Sequence, residues 1–188
     1  MVPEGRAGQH GRVSATDRTT SPTSPTSNPT PWLALLGFLV AVGVAAGLGG
    51  LAASSAGSTY DALEQPAFAP PAWVFGPVWT VLYTLMSVAA WLVWRRRGEA
   101  PVRGPLAAYV VQLVLNAIWT PVFFGLYPAI GSPALWIALV IILALDVTVL
   151  VTMIRFWKVS KAAAWLLVPY WAWVLFATTL NAALAVLN

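Results

Sequence analysis

The sequence predicts an all-α integral membrane protein built as a bundle of five transmembrane helices. Hydrophobic residues make up 59% of its 188 residues, charged residues make up only 9%, and the mean hydropathy is +0.76. Soluble domains carry roughly 25% charged residues. Five apolar stretches follow a polar N-terminal segment, and each is near the ~20 residues that cross a hydrocarbon core. Continuous runs of this length are typical of helices and not of barrel strands.

The five stretches cover approximately Trp32–Ala53, Phe75–Trp94, Pro105–Leu126, Pro133–Ile154 and Ala162–Leu187. Polar or Pro/Gly-containing joints at 95–104, 127–133 and 155–161 separate the last four. Residues 1–31 are rich in Ser, Thr and Pro, and they cannot bury enough surface to offset the entropy of ordering. We therefore predict a disordered tail over residues 1–31 and one membrane domain over residues 32–188.

The basic residues indicate the orientation of the chain. With five spans, the tail and the loops at 95–104 and 155–161 share one side of the membrane, and all ten basic residues fall there. They are Arg6, Arg12, Arg18, Arg95, Arg96, Arg97, Arg103, Arg155, Lys158 and Lys161. The long loop at 54–74 carries only Asp61 and Glu64 as charges. The positive-inside rule then predicts a bacterial-type cell membrane with the N-terminus cytoplasmic and the C-terminus outside.

The composition also excludes several kinds of chemistry. The chain has no cysteine, which excludes disulfides, thiol catalysis and cysteine-ligated metals. Its single histidine, His10, lies in the predicted tail, away from any candidate pocket. We therefore expect no metal site. The net charge of +4 follows from the sidedness of the loops and does not indicate nucleic-acid binding.

Few polar residues lie within the predicted spans. Gln112 and Asn116 are four residues apart and share a helix face, and Asn181 lies in the last span. Hydrogen bonding between helices explains Gln112 and Asn181, whereas Asn116 fits a binding pocket equally well. Asp146 has no basic partner in any span, so it is protonated, bonded to a hydroxyl such as that of Thr148 or Thr152, or in contact with water.

Tryptophans are concentrated in two kinds of position. Four of the eleven, Trp32, Trp94, Trp157 and Trp165, fall at predicted helix ends, where indole rings anchor helices at the membrane interface. Trp79, Trp119 and Trp173 lie deeper, and core packing is the default explanation for each. Their coincidence with Asn116 and with a Pro-rich loop before Trp73 favours a shared pocket. Aromatic rings with one polar atom suit a flat apolar ligand that also accepts a hydrogen bond.

Several sequence blocks resemble the TspO/MBR family, which includes the tryptophan-rich sensory proteins and the mitochondrial translocator protein, or peripheral-type benzodiazepine receptor. The blocks are WVFGPVWT at 73–80, QLVLN at 112–116, FWKVS at 156–160, LLVPYWAW at 166–173 and FATTLN at 176–181. They occur in the family's order across residues 32–188. The resemblance does not extend to the predicted tail.

The resemblance implies a five-helix bundle, commonly homodimeric, that binds porphyrins such as protoporphyrin IX or haem and drugs of the isoquinoline or benzodiazepine type. The resemblance implies that the protein requires no cofactor. The residues implied to line the pocket, with Trp119 added from its depth in the third span, are Tyr60, Trp79, Asn116, Trp119, Trp173 and Ala177.

The function implied is that of a membrane receptor or sensor for tetrapyrroles that regulates tetrapyrrole or stress responses. Light-dependent degradation of porphyrin is an alternative, with Trp79 and Trp173 as the catalytic residues. Transport of tetrapyrroles or small lipids is another, although the chain lacks the internal duplication of typical carriers. A scaffold role is also open, because Gly37, Ala41, Ala45 and Gly49 recur four apart on the first predicted helix.

The chain departs from the family in three places. The C-terminal sequence ATTLNAALAVLN has neither the Tyr nor the Arg of the family's sterol motif, so we expect no high-affinity sterol site. Gln65 stands where relatives usually carry lysine, which removes a cation for a porphyrin carboxylate. Asp146 has no counterpart in the family pattern.

Overall fold

The computed structural model describes residues 31–52 and 56–188, and these ranges contain helices and no strands. The helices are α1 (Pro31–Ala52), α2 (Ala56–Ala62), α3 (Phe75–Arg95), α4 (Arg103–Thr120), α5 (Tyr127–Ile130), α6 (Ser132–Trp157), α7 (Lys161–Leu166) and α8 (Val168–Leu187). A single 3₁₀ turn, Ala72–Val74, leads into α3. The predicted disordered tail lies outside the described residues apart from Pro31, where α1 begins.

Four helical segments in the described ranges are long and apolar enough to cross a membrane. They are Ala72–Arg95, Arg103–Gly125, Ser132–Trp157 and Lys161–Leu187. The first helix, α1, contributes a shorter apolar stretch, Trp32–Val44. The protein is therefore an all-α integral membrane protein, while a fifth span over residues 32–53 stays a prediction.

Prolines interrupt two of the predicted spans. Pro121 has no amide hydrogen, so α4 ends at Thr120 and the chain continues as one π-helical turn, Pro121–Gly125. Pro169 likewise cannot donate to the carbonyl of Trp165, and the helix predicted over 162–187 is divided at Leu167 into α7 and α8. At the junction of α5 and α6, Gly131 adopts φ +68°, a conformation that side chains disfavour.

The long helices form a ring in the order α1, α3, α8, α6 and α4. The pairs α4–α6 and α6–α8 pack along each other, α1 packs against α3 and α4, and α3 contacts α7 and α8. Small residues let the backbones approach closely where helices meet. Fully buried alanines at these contacts are Ala89, Ala90, Ala134, Ala138 and Ala163. Large apolar side chains such as Val140, Val147 and Ile154 face outward, as expected for contact with lipid.

The predicted interfacial tryptophans lie among the basic residues at one end of the bundle. The Arg97 guanidinium lies 3.6 Å from the centre of the Trp94 ring, and the Lys161 amine lies 5.7 Å from that of Trp157. The Trp157 and Trp165 rings are 6.1 Å apart, and both are exposed. This is the arrangement of an aromatic and cationic belt at a membrane surface. We call this end, where α3, α6 and α7 place their basic residues, the basic end.

The alanines at helix contacts predict a steep dependence of stability on side-chain size. Replacing the fully buried Ala138 with leucine forces three extra heavy atoms into the contacts of α6. We expect Ala138→Leu to lower the free energy of unfolding by about 1–3 kcal/mol. Denaturation by SDS in detergent micelles, followed by circular dichroism, measures the change. The matched control, Ala144→Leu on the exposed face of the same helix, should change stability by less than about 0.5 kcal/mol; equal losses would contradict the prediction.

Candidate functional site

The long loop between α1 and α3 folds over the end of the bundle opposite the basic end. Tyr60 is 3% exposed, and its hydroxyl donates to the carbonyl of Pro70 at 2.9 Å. The Gln65 amide in turn donates to the carbonyl of Tyr60 at 2.8 Å. Two bonds join the loop to the end of α8, because the Glu64 amide donates to Asn188 Oδ1 at 2.9 Å and Asn188 Nδ2 donates back to the Glu64 carbonyl at 3.1 Å. We call this pair of bonds the latch.

Burial keeps Tyr60 a neutral donor. It raises the pKa of the Tyr60 hydroxyl above its ordinary value of 10.0, and the neighbouring Asp61 carboxylate raises it further. A raised pKa in the folded state means that the hydroxyl stabilises the loop below pH 10.0 and that this stabilisation is lost as the pH rises through the folded-state pKa. The bond to Pro70 is therefore intact at neutral pH.

A small cavity lies beneath the loop. Its volume is about 20 Å³, and its lining comes from α2, the start of α3, the Pro121–Gly125 turn, the end of α4 and the second half of α8. The lining residues are Tyr60, Phe75, Trp119, Phe123, Phe124, Ala177, Leu180, Asn181 and Leu184. This volume holds about one water molecule. The cavity is therefore closed to any drug-sized ligand while the loop is in this position.

A chain of aromatic rings connects the cavity to Trp173. Tyr60 meets Phe75 edge-on at 5.3 Å, and Phe75 meets Trp173 edge-on at 5.9 Å. Phe176 follows 5.4 Å from Trp173 and also contacts Phe68 of the loop at 6.4 Å. The indole nitrogen of Trp173 is buried and has no hydrogen-bond partner among the described residues. A buried donor of this kind is available to a ligand oxygen.

A polar cluster joins α3, α4 and α8 nearer the middle of the bundle. The Tyr83 hydroxyl donates to Asn116 Oδ1 at 3.0 Å, and Asn116 Nδ2 donates to the Tyr170 hydroxyl at 3.2 Å. Tyr170 in turn donates to Gln112 Oε1 at 2.8 Å. Trp79 stacks on Tyr83 with ring centres 5.0 Å apart and meets Tyr170 edge-on at 6.3 Å. We call the four hydrogen-bonded residues, Tyr83, Asn116, Tyr170 and Gln112, the tyrosine–amide cluster.

Asn181 fixes the orientation of Trp119 at the cavity wall. The Trp119 indole donates to Asn181 Oδ1 at 3.1 Å, and Asn181 Nδ2 donates to the carbonyl of Leu135 at 2.9 Å. One amide therefore joins α4, α6 and α8. The hydrogen bonds between helices that the sequence predicted for Gln112 and Asn181 are both present.

Asp146 of α6 is hydrogen-bonded to a hydroxyl on α8. Its Oδ2 accepts a bond of 2.7 Å from the Thr178 hydroxyl of α8, and its Oδ1 is buried with no partner among the described residues. The hydroxyls considered from the sequence point elsewhere: Thr148 donates to the carbonyl of Leu145 and Thr152 donates to that of Thr148. Of the three alternatives left open by the sequence, the structure shows the bond to a hydroxyl, and the hydroxyl is that of Thr178 because α6 backbone carbonyls one turn away accept from Thr148 and Thr152.

The predicted site residues fall into two neighbouring groups. Tyr60, Trp119 and Ala177 line the cavity. Trp173 reaches it through Phe75. The other two predicted residues are set apart from the cavity lining: Asn116 belongs to the tyrosine–amide cluster, and Trp79 stacks against that cluster.

Sequence reasoning missed several residues of the site. Phe75 and Asn181 line the cavity, and Tyr83 and Tyr170 complete the tyrosine–amide cluster. Tyr83 carried a signal, because it lies four residues after Trp79 and shares its helix face. Nothing in the sequence paired Asn181 with Trp119, since such contacts depend on the helix order in the ring. In the described part of the chain, no three His, Cys, Asp or Glu side chains come close enough to hold a metal ion.

The tyrosine–amide cluster predicts energetic coupling between α3 and α4. We expect Tyr83→Phe and Asn116→Ala each to destabilise the protein and the double variant to lose less than their sum, because both single changes break the same bond. The coupling should be about 0.5–1.5 kcal/mol by SDS denaturation in micelles. Tyr83→Phe combined with Thr179→Ala, which alters an exposed local bond on α8, should be additive. Additivity of Tyr83→Phe with Asn116→Ala would contradict the coupling.

Comparisons with known proteins identify the family of the chain. The family model described as "TspO/MBR family" matches residues 35–187. The chain is 38% identical over 154 residues to the translocator protein of Homo sapiens, covering 80% of this chain and 88% of that protein. It is 39% identical over 150 residues to the tryptophan-rich sensory protein of Cereibacter sphaeroides, again covering 80% and 88%. It is 38% identical over 138 residues to the tryptophan-rich protein TspO of Archaeoglobus fulgidus, covering 72% of this chain and 84% of that protein. With these relatives and a family match across its whole membrane region, the chain belongs to the TspO/MBR family.

Proposed function

We propose that this protein is a membrane receptor or sensor that binds porphyrin or a related tetrapyrrole beneath the loop joining α1 to α3. The observation that carries the proposal is Trp173. Its indole nitrogen is buried without a partner among the described residues, while its ring contacts Phe75 at the cavity wall. A carboxylate or carbonyl oxygen of a flat ligand would satisfy this donor, and the surrounding rings would contact the ligand face. Relatives named as a sensory protein and a translocator protein support such a role.

Ligand entry requires the loop to move. Small-molecule sites measure roughly 300–1,000 Å³, whereas the cavity measures about 20 Å³. The latch joins the loop to the end of α8 by two exposed hydrogen bonds, and the buried ring of Tyr60 packs on Phe75, whereas the Tyr60–Pro70 bond lies within the loop. Release of these bonds would lift Tyr60 from Phe75 and join the cavity to the ring of Trp173.

Each predicted residue then has a distinct role. Tyr60, Trp119 and Ala177 supply apolar surface, and Trp173 donates to a ligand oxygen. Trp79 and Asn116 support the inner wall through the tyrosine–amide cluster, and in the open form they would border the ligand. Protoporphyrin IX or haem fits this mixture of apolar faces and one donor, as do isoquinoline- or benzodiazepine-type compounds.

A light-dependent oxidation of porphyrin is the second candidate function. It is favoured by the stacking of Trp79 on Tyr83, whose hydroxyl donates to Asn116. An excited porphyrin can take an electron from the Trp79 indole and pass it to molecular oxygen, which gives superoxide and an indole cation radical. The indole radical would then take an electron from the porphyrin, and the porphyrin cation radical would combine with superoxide to give an oxygenated product. Molecular oxygen would be the terminal oxidant. Trp79 and Trp173 are then the catalytic residues.

Titration with protoporphyrin IX in the dark tests the binding site. We expect saturable quenching of tryptophan fluorescence by porphyrin in detergent-purified protein. Trp173→Phe should weaken binding about tenfold, since the loss of one hydrogen bond to a charged group costs about 1.5 kcal/mol. Trp136→Phe, which replaces a half-exposed tryptophan on the outer face of α6, should bind normally. Normal binding by the Trp79→Phe/Trp173→Phe double variant would place the ligand elsewhere.

The same titration under illumination separates a receptor from an enzyme. A stable porphyrin spectrum supports the receptor. A discrete product band that needs light and oxygen, and that is absent from the double variant, supports the enzyme. Bleaching without a product counts for neither activity.

The proposal includes five spans, with the N-terminus in the cytoplasm and the C-terminus outside. It is supported by the 22-residue length of α1 and by the basic residues shared by one end of the bundle. The chain has no cysteine of its own, so an introduced cysteine is the only thiol that can be labelled. With an impermeant maleimide on intact cells, Ala67→Cys should be labelled, while Gly98→Cys and Ser14→Cys should react only after lysis. Labelling of Ser14→Cys on intact cells would exclude the odd number of spans.

A homodimer is also part of the proposal. Gly37 and Ala41 are exposed on α1, and a Cβ added at Gly37 meets nothing within 4 Å. Small residues on an outward face suit close contact between two copies of a membrane helix. The surroundings of Ala45 and Gly49, the other two small residues of this series, lie outside what the structure describes.

A further inference from the structure

A deep apolar groove lies at the basic end, between α6 and the junction of α7 with α8. Its volume is about 460 Å³, which is within the range of ligand sites. Leu150, Met153 and Ile154 form the wall on α6, and Ala164 and Val168 form the opposite wall. The groove exists because Pro169 ends the helical bonding at Leu167 and because Ala164 has a small side chain.

Two exposed tryptophans border the groove. Trp157 and Trp165 both line it, and their rings lie 6.1 Å apart at a tilt of 60°. The structure therefore presents a groove of hydrocarbon character that is bordered by two indole rings in contact with each other and is open toward the lipid-facing side of the bundle. Such a groove fits an acyl chain, because indoles at the membrane interface contact both lipid chains and headgroups.

A second cleft adjoins the groove on the side of the loop between α3 and α4. Its volume is about 270 Å³, and its lining includes Pro101, Gly104, Arg155 and Lys158. Lys158 lines both cavities and so marks where they meet. Arg155 donates to the carbonyl of Gly104 at 3.1 Å, which uses one of its five N–H donors and holds the guanidinium at the cleft.

The charges at this end favour an anion. Seven basic residues from the loops and helix ends lie there, and Glu99 is the one acidic residue among them in the described chain. The described lining of the two cavities contains no carboxylate. Each Lys or Arg near an anionic membrane surface is worth about 1 kcal/mol of attraction. Lysine and arginine also extend their alkyl stems along apolar surface while the charged group stays in water.

We propose that the groove and the cleft together bind one anionic phospholipid. Its acyl chain lies in the groove against the rings of Trp157 and Trp165, and its phosphate lies in the cleft near Arg155 and Lys158. A free anion would leave the groove unused, and a zwitterionic lipid would gain less from the uncompensated basic charge. This site is at the opposite end of the bundle from the cavity beneath the loop, and it does not depend on tetrapyrrole binding.

Brominated lipids test the assignment. The protein is placed in phosphatidylcholine nanodiscs in which a fixed fraction is dibrominated phosphatidylglycerol or, separately, dibrominated phosphatidylcholine. Bromine quenches indole fluorescence only at contact, so we expect stronger quenching by the phosphatidylglycerol at equal mole fraction. This excess should fall at least twofold in Lys158→Gln and in Arg155→Gln. It should disappear in Trp157→Phe/Trp165→Phe, which removes the reporting rings.

The control is Arg97→Gln, which removes a basic residue of the same end that lies on Trp94 and outside both cavities. Its excess quenching should match that of the unchanged protein. Ala164→Leu, which fills the groove, should reduce quenching while circular dichroism remains unchanged. Equal quenching by the two lipids, or an excess that persists in Lys158→Gln and Arg155→Gln, would overturn the proposal.

Discussion

The packing of the helices at the centre of the bundle depends on the hydrogen bonds of the Tyr170 hydroxyl. It accepts from Asn116 and donates to Gln112, so that one fully buried group of α8 binds two residues of α4, while Tyr83 extends the same cluster to α3. Helices satisfy their own backbone groups in a membrane, so the specificity of packing comes from small side chains and from such polar contacts. The cluster fixes the rotation of three helices about their axes. This rotation in turn directs Trp79 toward the interior and presents Trp119, Ala177 and Asn181 to the cavity.

The two ends of the bundle differ in the charge and exposure of their side chains. At one end, a Pro-rich loop with two acidic residues covers a set of aromatic rings and is hydrogen-bonded to Asn188, which follows the last residue of α8. At the other end, basic side chains and exposed indoles border clefts that open toward lipid and water. The same residue types, tryptophan and proline, build both ends. Burial and neighbouring charge distinguish the closed aromatic cluster at one end from the exposed indoles at the other.

Much of this arrangement could be predicted from the sequence. Hydropathy located the long helices to within a few residues, and Trp157 and Trp165 are exposed near helix ends, where the sequence placed them. The two breaks at Pro121 and Pro169 were not predicted, because proline is tolerated in membrane helices and its effect depends on neighbouring helices. The pairing of Asp146 with Thr178 and of Trp119 with Asn181 could not be predicted either. Each pair joins separate helices, so it depends on the ring order and on helix rotation, which hydropathy does not encode.

The closed loop sets how affinity and selectivity would divide between residues. A ligand too large for the 20 Å³ cavity binds only the open form, so its apparent Kd equals the intrinsic Kd divided by the open fraction. The latch between Glu64 and Asn188 and the buried side chains of Tyr60 and Leu63 favour the closed loop, so they would scale the affinity of every large ligand by the same factor. The ring of Trp173 and the residues around it would set the intrinsic Kd, which is the only part of the apparent Kd that can differ between large ligands.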